Sequence, residues 1–422
     1  MAIEEKKGGN IAAIGMMFAL FFMIAFVTNL AGSMGPVLKN QFGASDGASQ
    51  FGSAANFFAY LFMGIPGGLI LKRRGYKFTS LLAIAIGIAG LGVQVASAFA
   101  ESFSVYVAGA FVAGFSMCLL NLVVNPLLNT LGGEGKKGNQ LVQFGCTLNS
   151  VGATLAPWLA GKLIGDEIAK AKVMDAAWAL YIAIGIFVAA FIVISLSKIP
   201  EPHIETAEEK ADRLAGKTSV IGDIFGALKF RHFTLGAVAI FLYIIIESGI
   251  PNFMNLYMTK EGTPGYVGAA VAGSLVAVYW FCMMIGRLIG GSIGSKISSR
   301  TMIVGCSVIG IALMLATMYT PVKMVTVMGK TFPLAMCFGV LCGLCTSVMW
   351  GSIFNMAAEG LGKYVPMGSG IFMAMVFGGM LLPVQGWLAE KVGYLQSYWM
   401  TIGLFAYVLF YALVGSRVSK KA

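Results

Sequence analysis

Glu247 is the residue whose type and placement point first to chemistry. It lies within Phe241–Met258 (FLYIIIESGIPNFMNLYM), inside an apolar run that begins near Leu235. About 20 apolar residues suffice to cross a bilayer. A carboxylate at membrane depth costs at least about 2.5–3.5 kcal/mol. Such a group persists where it faces a bundle interior, a partner or a water-filled path, and the chemistry open to it there is taking up and releasing a proton. Pro251 follows one turn later and removes a hydrogen bond from the helical ladder, so an interruption is expected there. Ser248, Asn252 and Asn255 are spaced i, i+4, i+7 and share one face. The stretch reads as one wall of a transport pathway.

Other segments repeat the pattern with amides. Asn121, Asn125 and Asn129 lie at i, i+4, i+8 beside Pro126. Three amides on one stripe of a membrane helix need partners or a polar solute. Asn121 and Asn125 are read as solute-lining, and Asn129 as a cap near the helix end. Gln143 shares a face with Thr147 and Ser150. Asn355 continues the row from Ser347 and Gly351, and Gln385 follows Gly378-Gly379 and Pro383 on a bendable helix. Asn29, near Gly32, Gly35 and Pro36, serves either helix–helix hydrogen bonding or a cavity wall. Trp280 either packs toward lipid or stacks on the apolar face of a pyranose ring. Arg287 is expected toward the end of its segment, snorkelling or paired with an acid.

These residues need many membrane-crossing elements to position them. Of 422 residues, 58% are hydrophobic and 11% charged, where soluble proteins carry roughly 25% charged. Apolar segments fall at about 11–37, 51–71, 79–99, 104–128, 141–164, 177–197, 233–258, 266–294, 301–320, 331–356, 365–389 and 395–415. The expectation is an all-α integral membrane protein of 12 transmembrane helices. Lys6 and Lys7 before an apolar run imitate a signal peptide, but the run is too long and lacks a small-residue cleavage site, so it is read as the first membrane helix. Most of the 29 lysines and arginines fall in the loops of one side. The net charge of +11 is therefore topological rather than a nucleic-acid footprint, and it places both termini in the cytoplasm.

Gly67-Gly68-Leu69-Ile70 running into Lys72-Arg73-Arg74 is echoed by Gly290-Gly291-Ser292-Ile293 running into Lys296 and Arg300. Corresponding sites in two six-helix halves are the internal repeat of many transporters. The halves are expected at 1–197 and 231–422, joined by a polar stretch at 198–230 read as a solvated cytoplasmic linker with a short amphipathic helix. All seven cysteines lie in apolar segments, so no disulfide framework follows. Cys342 and Cys345 form a CxxC without a second ligand pair, which reads as packing rather than redox or zinc chemistry. His203 and His232 are isolated. No metal or cofactor is implied, and the absence of clustered His or paired acids at one membrane face argues against an enzyme. The candidate site lacks a cluster of Arg or Lys, which disfavours organic phosphates.

The chain resembles the major facilitator superfamily and, within it, the fucose–galactose–glucose proton symporter (fucose permease) family. The residues that carry the resemblance are Asn29-Leu30, Pro66-Gly67-Gly68 to Gly75-Tyr76-Lys77, Asn125-Pro126, Asn149-Ser150-x-Gly152-Ala153, Phe241-Leu242-Tyr243 to Tyr257, and Ile285-Gly286-Arg287. Ile353-Phe354, Glu359-Gly360-Leu361-Gly362, Gly368-Ser369, Gly378-Gly379 and Pro383-x-x-Gly386 extend it through the last third. The resemblance implies secondary active import of a neutral monosaccharide, of hexose, deoxyhexose or N-acetylhexosamine type, by proton symport and alternating access. It also implies a monomer in the bacterial inner membrane. Fucose-type members carry carboxylates in helices 1 and 4, where this chain has Gly32 and Asn121. Glu247 then becomes the candidate for proton coupling. The alternatives are a proton-independent facilitator, or a drug exporter of the same superfamily, for which the asparagine stripes are a poor fit. Asn29, Asn121, Asn125, Gln143, Asn252, Asn255, Trp280, Asn355 and Gln385 are the candidate sugar contacts.

Overall fold

The computed structural model describes residues 2–33, 38, 41–43, 51–133, 135–164, 173–174, 177–215, 219–260, 262–267, 269–327 and 329–418. Among them, ten stretches are long and apolar enough to cross a membrane. One of these, Ala54–Ala100, is 47 residues long and folds back on itself. It belongs to α2 (Phe51–Ala100), which breaks at Gly75 with φ 80 and ψ 180, so the stretch expected as two helices is two limbs. The helix Gly135–Ile164, 30 residues long, has the length but is too polar to rank with the ten.

The chain forms two compact units. The first comprises 1–133, 148–229 and 360–377; the second comprises 134–147, 230–359 and 378–422. The first is built from α1 (Ala2–Ser33), α2, α3 (Phe103–Leu131), most of α4 (Gly135–Ile164), α5 (Ala177–Leu196), α6 (Ala207–Leu214), α7 (Val220–Leu228) and a later helix, α13 (Val365–Ala374). The span in α3 is 72% buried and that in α5 only 28%, so α3 is the enclosed helix and α5 presents its apolar side chains to lipid. Close approach depends on absent side chains: a methyl on Gly64 of α2 would stand 2.6 Å from the Gly370 carbonyl oxygen of α13.

The second unit contains α8 (Arg231–Thr259), α9 (Ala269–Ile293), α10 (Ser299–Tyr319), α11 (Ala335–Ser347), α12 (Met349–Ala358), α14 (Leu382–Val392) and α15 (Tyr398–Phe410), with the start of α4. Pro251 does not break α8, contrary to expectation; the helix runs through it. Pro251 frees the carbonyl four residues earlier, that of Glu247. The Tyr279 hydroxyl of α9 donates to that carbonyl at 3.2 Å, so the ladder loses a bond but the oxygen keeps a partner. Gly378-Gly379, expected to make their helix bendable, lie in a 3-10 stretch, Met375–Leu381, that leads into α14. A short antiparallel hairpin, β1 (Met324–Val327) with β2 (Lys330–Pro333), joins α10 to α11.

Two acids of the polar stretch at 198–230, Glu201 and Asp223, are fastened to α2. Glu201 accepts from the backbone N–H of Tyr76 and, at 2.9 Å, from that of Lys77. It thereby caps the limb of α2 that starts after Gly75. Lys77 reaches the Ser195 and Ser197 carbonyls at 2.7 and 2.9 Å, closing the end of α5. Lys72 pairs with Asp223 of α7 at 2.7 Å. The His203 ring lies 2.6 Å from the Tyr76 hydroxyl, and burial pushes its imidazole down to about 4.

Two expectations follow. In Gly75→Ala the new methyl carbon would stand 2.6 Å from the Glu201 carboxyl carbon, at a φ that side chains avoid. The variant should lose about 1–3 kcal/mol and unfold at lower temperature in detergent, whereas Gly92→Ala, whose methyl meets nothing within 4 Å, should not. As for His203, the unfolded chain takes up a proton below about pH 6.5, but the folded protein does so only near pH 4. Stability is therefore lost as the pH is lowered from about 6.5 to about 4. His203→Gln should flatten this part of the pH–stability curve measured by thermal unfolding.

Candidate functional site

In the second unit the apolar stretch of α8 carries Glu247 on the side that meets α9. The Arg287 guanidinium of α9 lies 3.1 Å from the Glu247 carboxylate, with side-chain exposures of only 10% and 16%. Of the two alternatives expected for Arg287, pairing with an acid is the one the structure shows: it is a buried counter-ion, neither peripheral nor snorkelling. A carboxylate this deep needs a partner, and a guanidinium supplies a planar fork of donors. Arg287 also donates to the Cys146 carbonyl of α4 at 3.4 Å, so one side chain touches two neighbouring helices. The Tyr279 hydroxyl lies 3.0 Å from the Thr346 hydroxyl of α11 and binds the Glu247 carbonyl, steadying the backbone that carries the acid. Tyr243, one turn before Glu247, is buried beside the pair with the Trp350 ring 6.4 Å away. Chemically, this is a carboxylate and a guanidinium held in contact within the helix bundle.

Along the same helix Asn252 is exposed and Asn255 half-buried. An exposed amide at membrane depth belongs on a water-lined wall, since lipid offers it no hydrogen bond. Trp280 is 41% exposed, its ring set edge-on to Tyr279 at 5.4 Å.

In the first unit the amides cluster. Asn121 donates to the Tyr60 hydroxyl at 3.0 Å and to the Met117 carbonyl at 3.1 Å. Asn125 is fully buried and donates to the Asn121 carbonyl at 3.0 Å. Asn29 is half-buried and donates to the Ala25 carbonyl at 2.9 Å. Asn56, which the sequence reading passed over, is buried with neither side-chain atom bonded among the described residues. An unsatisfied amide in an apolar interior costs about 1–3 kcal/mol, so Asn56 marks a place for water or a polar solute.

The remaining candidates sit in helix contacts. Gln143 donates to the Val348 carbonyl at 2.8 Å, at the junction between α11 and α12. Asn355 donates to the Ser299 hydroxyl at 2.9 Å, and Gln385 to the Thr401 hydroxyl at 3.4 Å. Each is buried, and each has its carbonyl oxygen without a bond among the described residues. Besides Asn56, the sequence reading missed Tyr60, Tyr243 and Tyr279 as polar neighbours. A signal existed for Arg287, since it and Lys162, two residues from the end of its own segment, are the only basic residues within the apolar segments of the sequence. Aromatic residues gave none, because a tyrosine in an apolar run looks like core.

The sequence pattern of the Major Facilitator Superfamily matches residues 16–382. The glucose/galactose transporter of Brucella abortus (strain 2308) is 27% identical over 409 residues, 96% of this chain and 94% of that protein. The L-fucose-proton symporter of Escherichia coli is 22% identical over 445 residues, covering 99% and 97% of the two chains. A crystal structure of the E. coli fucose:proton symporter superposes with a TM-score of 0.82 at 19% identity, over 98% of this chain and 100% of that one. The likeness to that structure concerns the fold.

The pair sets a stability expectation. Arg287→Gln leaves Glu247 buried without its counter-ion and should cost about 3–5 kcal/mol, whereas removing both charges together should cost much less. Thermal unfolding in detergent should therefore place Glu247→Gln/Arg287→Gln above Arg287→Gln. A double variant no more stable than the single one would show that the two charges do not depend on each other.

Proposed function

Since the chain belongs to the Major Facilitator Superfamily, whose members are membrane transporters, we propose that it imports a neutral monosaccharide, a hexose such as glucose or galactose, by proton symport. The single observation that carries the reading is the Glu247–Arg287 pair, a protonatable carboxylate held by an adjustable counter-ion. The names of its relatives support the sugar class. Amides and hydroxyls suit such a solute, each amide offering two donors and an acceptor. Asn29, Asn121, Asn252, Asn255 and Trp280 are the proposed sugar contacts. Asn125, Gln143, Asn355 and Gln385 are proposed to hold helices.

Coupling in this reading runs through Arg287. With no sugar bound, the guanidinium and the Glu247 carboxylate stay paired. Sugar hydroxyls that accept from the guanidinium weaken its hold, and Glu247 then takes a proton. Sugar and proton bind cooperatively as a result, with a coupling of about 1–3 kcal/mol, the usual size of such linkage. An arginine that must be engaged before the carboxyl loads also guards against an uncoupled proton leak. The proposed working cycle is alternating access of two six-helix halves, 1–197 and 231–422, in a bacterial inner membrane with both termini cytoplasmic and the protein acting as a monomer.

A second reading has one observation in its favour: Gly32 and Asn121 stand where fucose-type members are expected to carry acids. Under it, the protein is a facilitator and Glu247 is structural. Radiolabelled glucose and galactose uptake into proteoliposomes separates the two. Symport predicts accumulation up to about tenfold for one proton under an inward gradient of one pH unit. Glu247→Gln should only equilibrate the sugar. Equilibration by wild type and variant alike would establish the facilitator, and no hexose movement at all would overturn the sugar assignment.

A further inference from the structure

A cavity of about 700 Å³ opens on the first unit, where the first limb of α2 ends and the 198–230 stretch crosses it. Arg73, Arg74 and Lys210 line it together with a single carboxylate, Glu205, giving an excess of positive charge. Its size lies within the roughly 300–1,000 Å³ of small-molecule sites. Phe78 and Ile204 line it as well, and these apolar side chains are 44% and 41% exposed. The walls are fixed by backbone hydrogen bonds. The Glu205 N–H donates to the Lys72 carbonyl at 2.8 Å, and Glu201 caps the second limb of α2 just beyond Arg74. The Arg74 guanidinium lies 5.5 Å from the Phe78 ring centre, which orients its donors beside an apolar surface.

Position decides what this pocket takes. Its arginines stand at the end of one membrane-crossing limb and Phe78 near the start of the next, which puts the cavity at the depth of lipid headgroups. Arginine forks recognise phosphate oxygens in pairs, and basic pockets at the ends of membrane helices recognise anionic headgroups. The exposed Phe78 and Ile204 would otherwise meet water, and an acyl chain covers them. We propose that this pocket binds the phosphodiester headgroup of an anionic phospholipid, with an acyl chain laid along Phe78 and Ile204. Bound lipid would tie the corner at Gly75 to the 198–230 stretch.

Native mass spectrometry of the full-length protein in detergent tests this, with phosphatidylglycerol, phosphatidylcholine, glycerol 3-phosphate and inorganic phosphate as probes. Each cation near an anionic headgroup contributes about a five-fold factor in affinity. Wild type should retain phosphatidylglycerol over phosphatidylcholine by about ten-fold or more. Arg73→Gln/Arg74→Gln/Lys210→Gln should abolish that preference, while Lys323→Gln/Arg417→Gln keeps it. Lys210→Gln alone, on an exposed linker helix that does not carry the membrane fold, should weaken retention about five-fold and stands in if the triple variant fails to fold. Phe78→Ala should loosen the lipid and leave any phosphate binding unchanged. Equal retention of the two lipids, or a preference insensitive to Arg73, Arg74 and Lys210, would overturn the proposal. So would inorganic phosphate or glycerol 3-phosphate binding as tightly as phosphatidylglycerol, since the occupant would then be a soluble anion.

Discussion

Two opposite charges held at membrane depth impose the constraint on which the second unit depends. Either charge left alone there is costly, because burial has stripped it of most of its hydration and only the partner compensates. The pair therefore fixes the facing sides of α8 and α9, and Arg287 extends the tie to the Cys146 carbonyl of α4. A bond between charges is also a bond that protonation can cancel. The contact that sets helix geometry is therefore also the one on which the proposed coupling rests.

Around that pair, backbone polarity is managed as strictly as side-chain polarity. Pro251 takes a donor out of α8, and the Tyr279 hydroxyl replaces it at the Glu247 carbonyl. The phenol also meets Thr346, so α8, α9 and α11 share one hydrogen-bonded node. Helix contact elsewhere rests on missing side chains. Gly343 lies so close to α9 that a methyl there would stand 3.3 Å from the Cys282 Cβ, besides striking the Tyr279 backbone. In a medium as apolar as the side chains, such close packing replaces the hydrophobic drive that assembles soluble proteins.

The 198–230 stretch shows the same economy in an aqueous setting. Two of its acids serve a helix end and an ion pair: Glu201 the N–H groups after Gly75, Asp223 the Lys72 ammonium. What composition presented as a solvated linker is a brace for the corner between the limbs of α2. That bracing is also what gives the basic cavity beside Arg73 and Arg74 defined walls.

By itself the sequence determined the helical membrane fold and the stripes of amides. Apolar run length, charge placement and the 3.6-residue period are local properties, and a bilayer translates them directly into helices. Glu247 was legible for the same reason, as an acid out of place in an apolar run. Only the tertiary structure decided the partner of that acid. Glu247 and Arg287 are 40 residues apart in the chain, and depth within a segment says nothing of which face of a helix meets which neighbour. It also sorted the amides, since the same i, i+4 pattern serves a helix contact at Gln143 and an exposed wall at Asn252. Tyr60, Tyr243 and Tyr279 stayed unread because a phenol's ring belongs to the core while its hydroxyl takes its role from whatever packing brings within 3 Å or so.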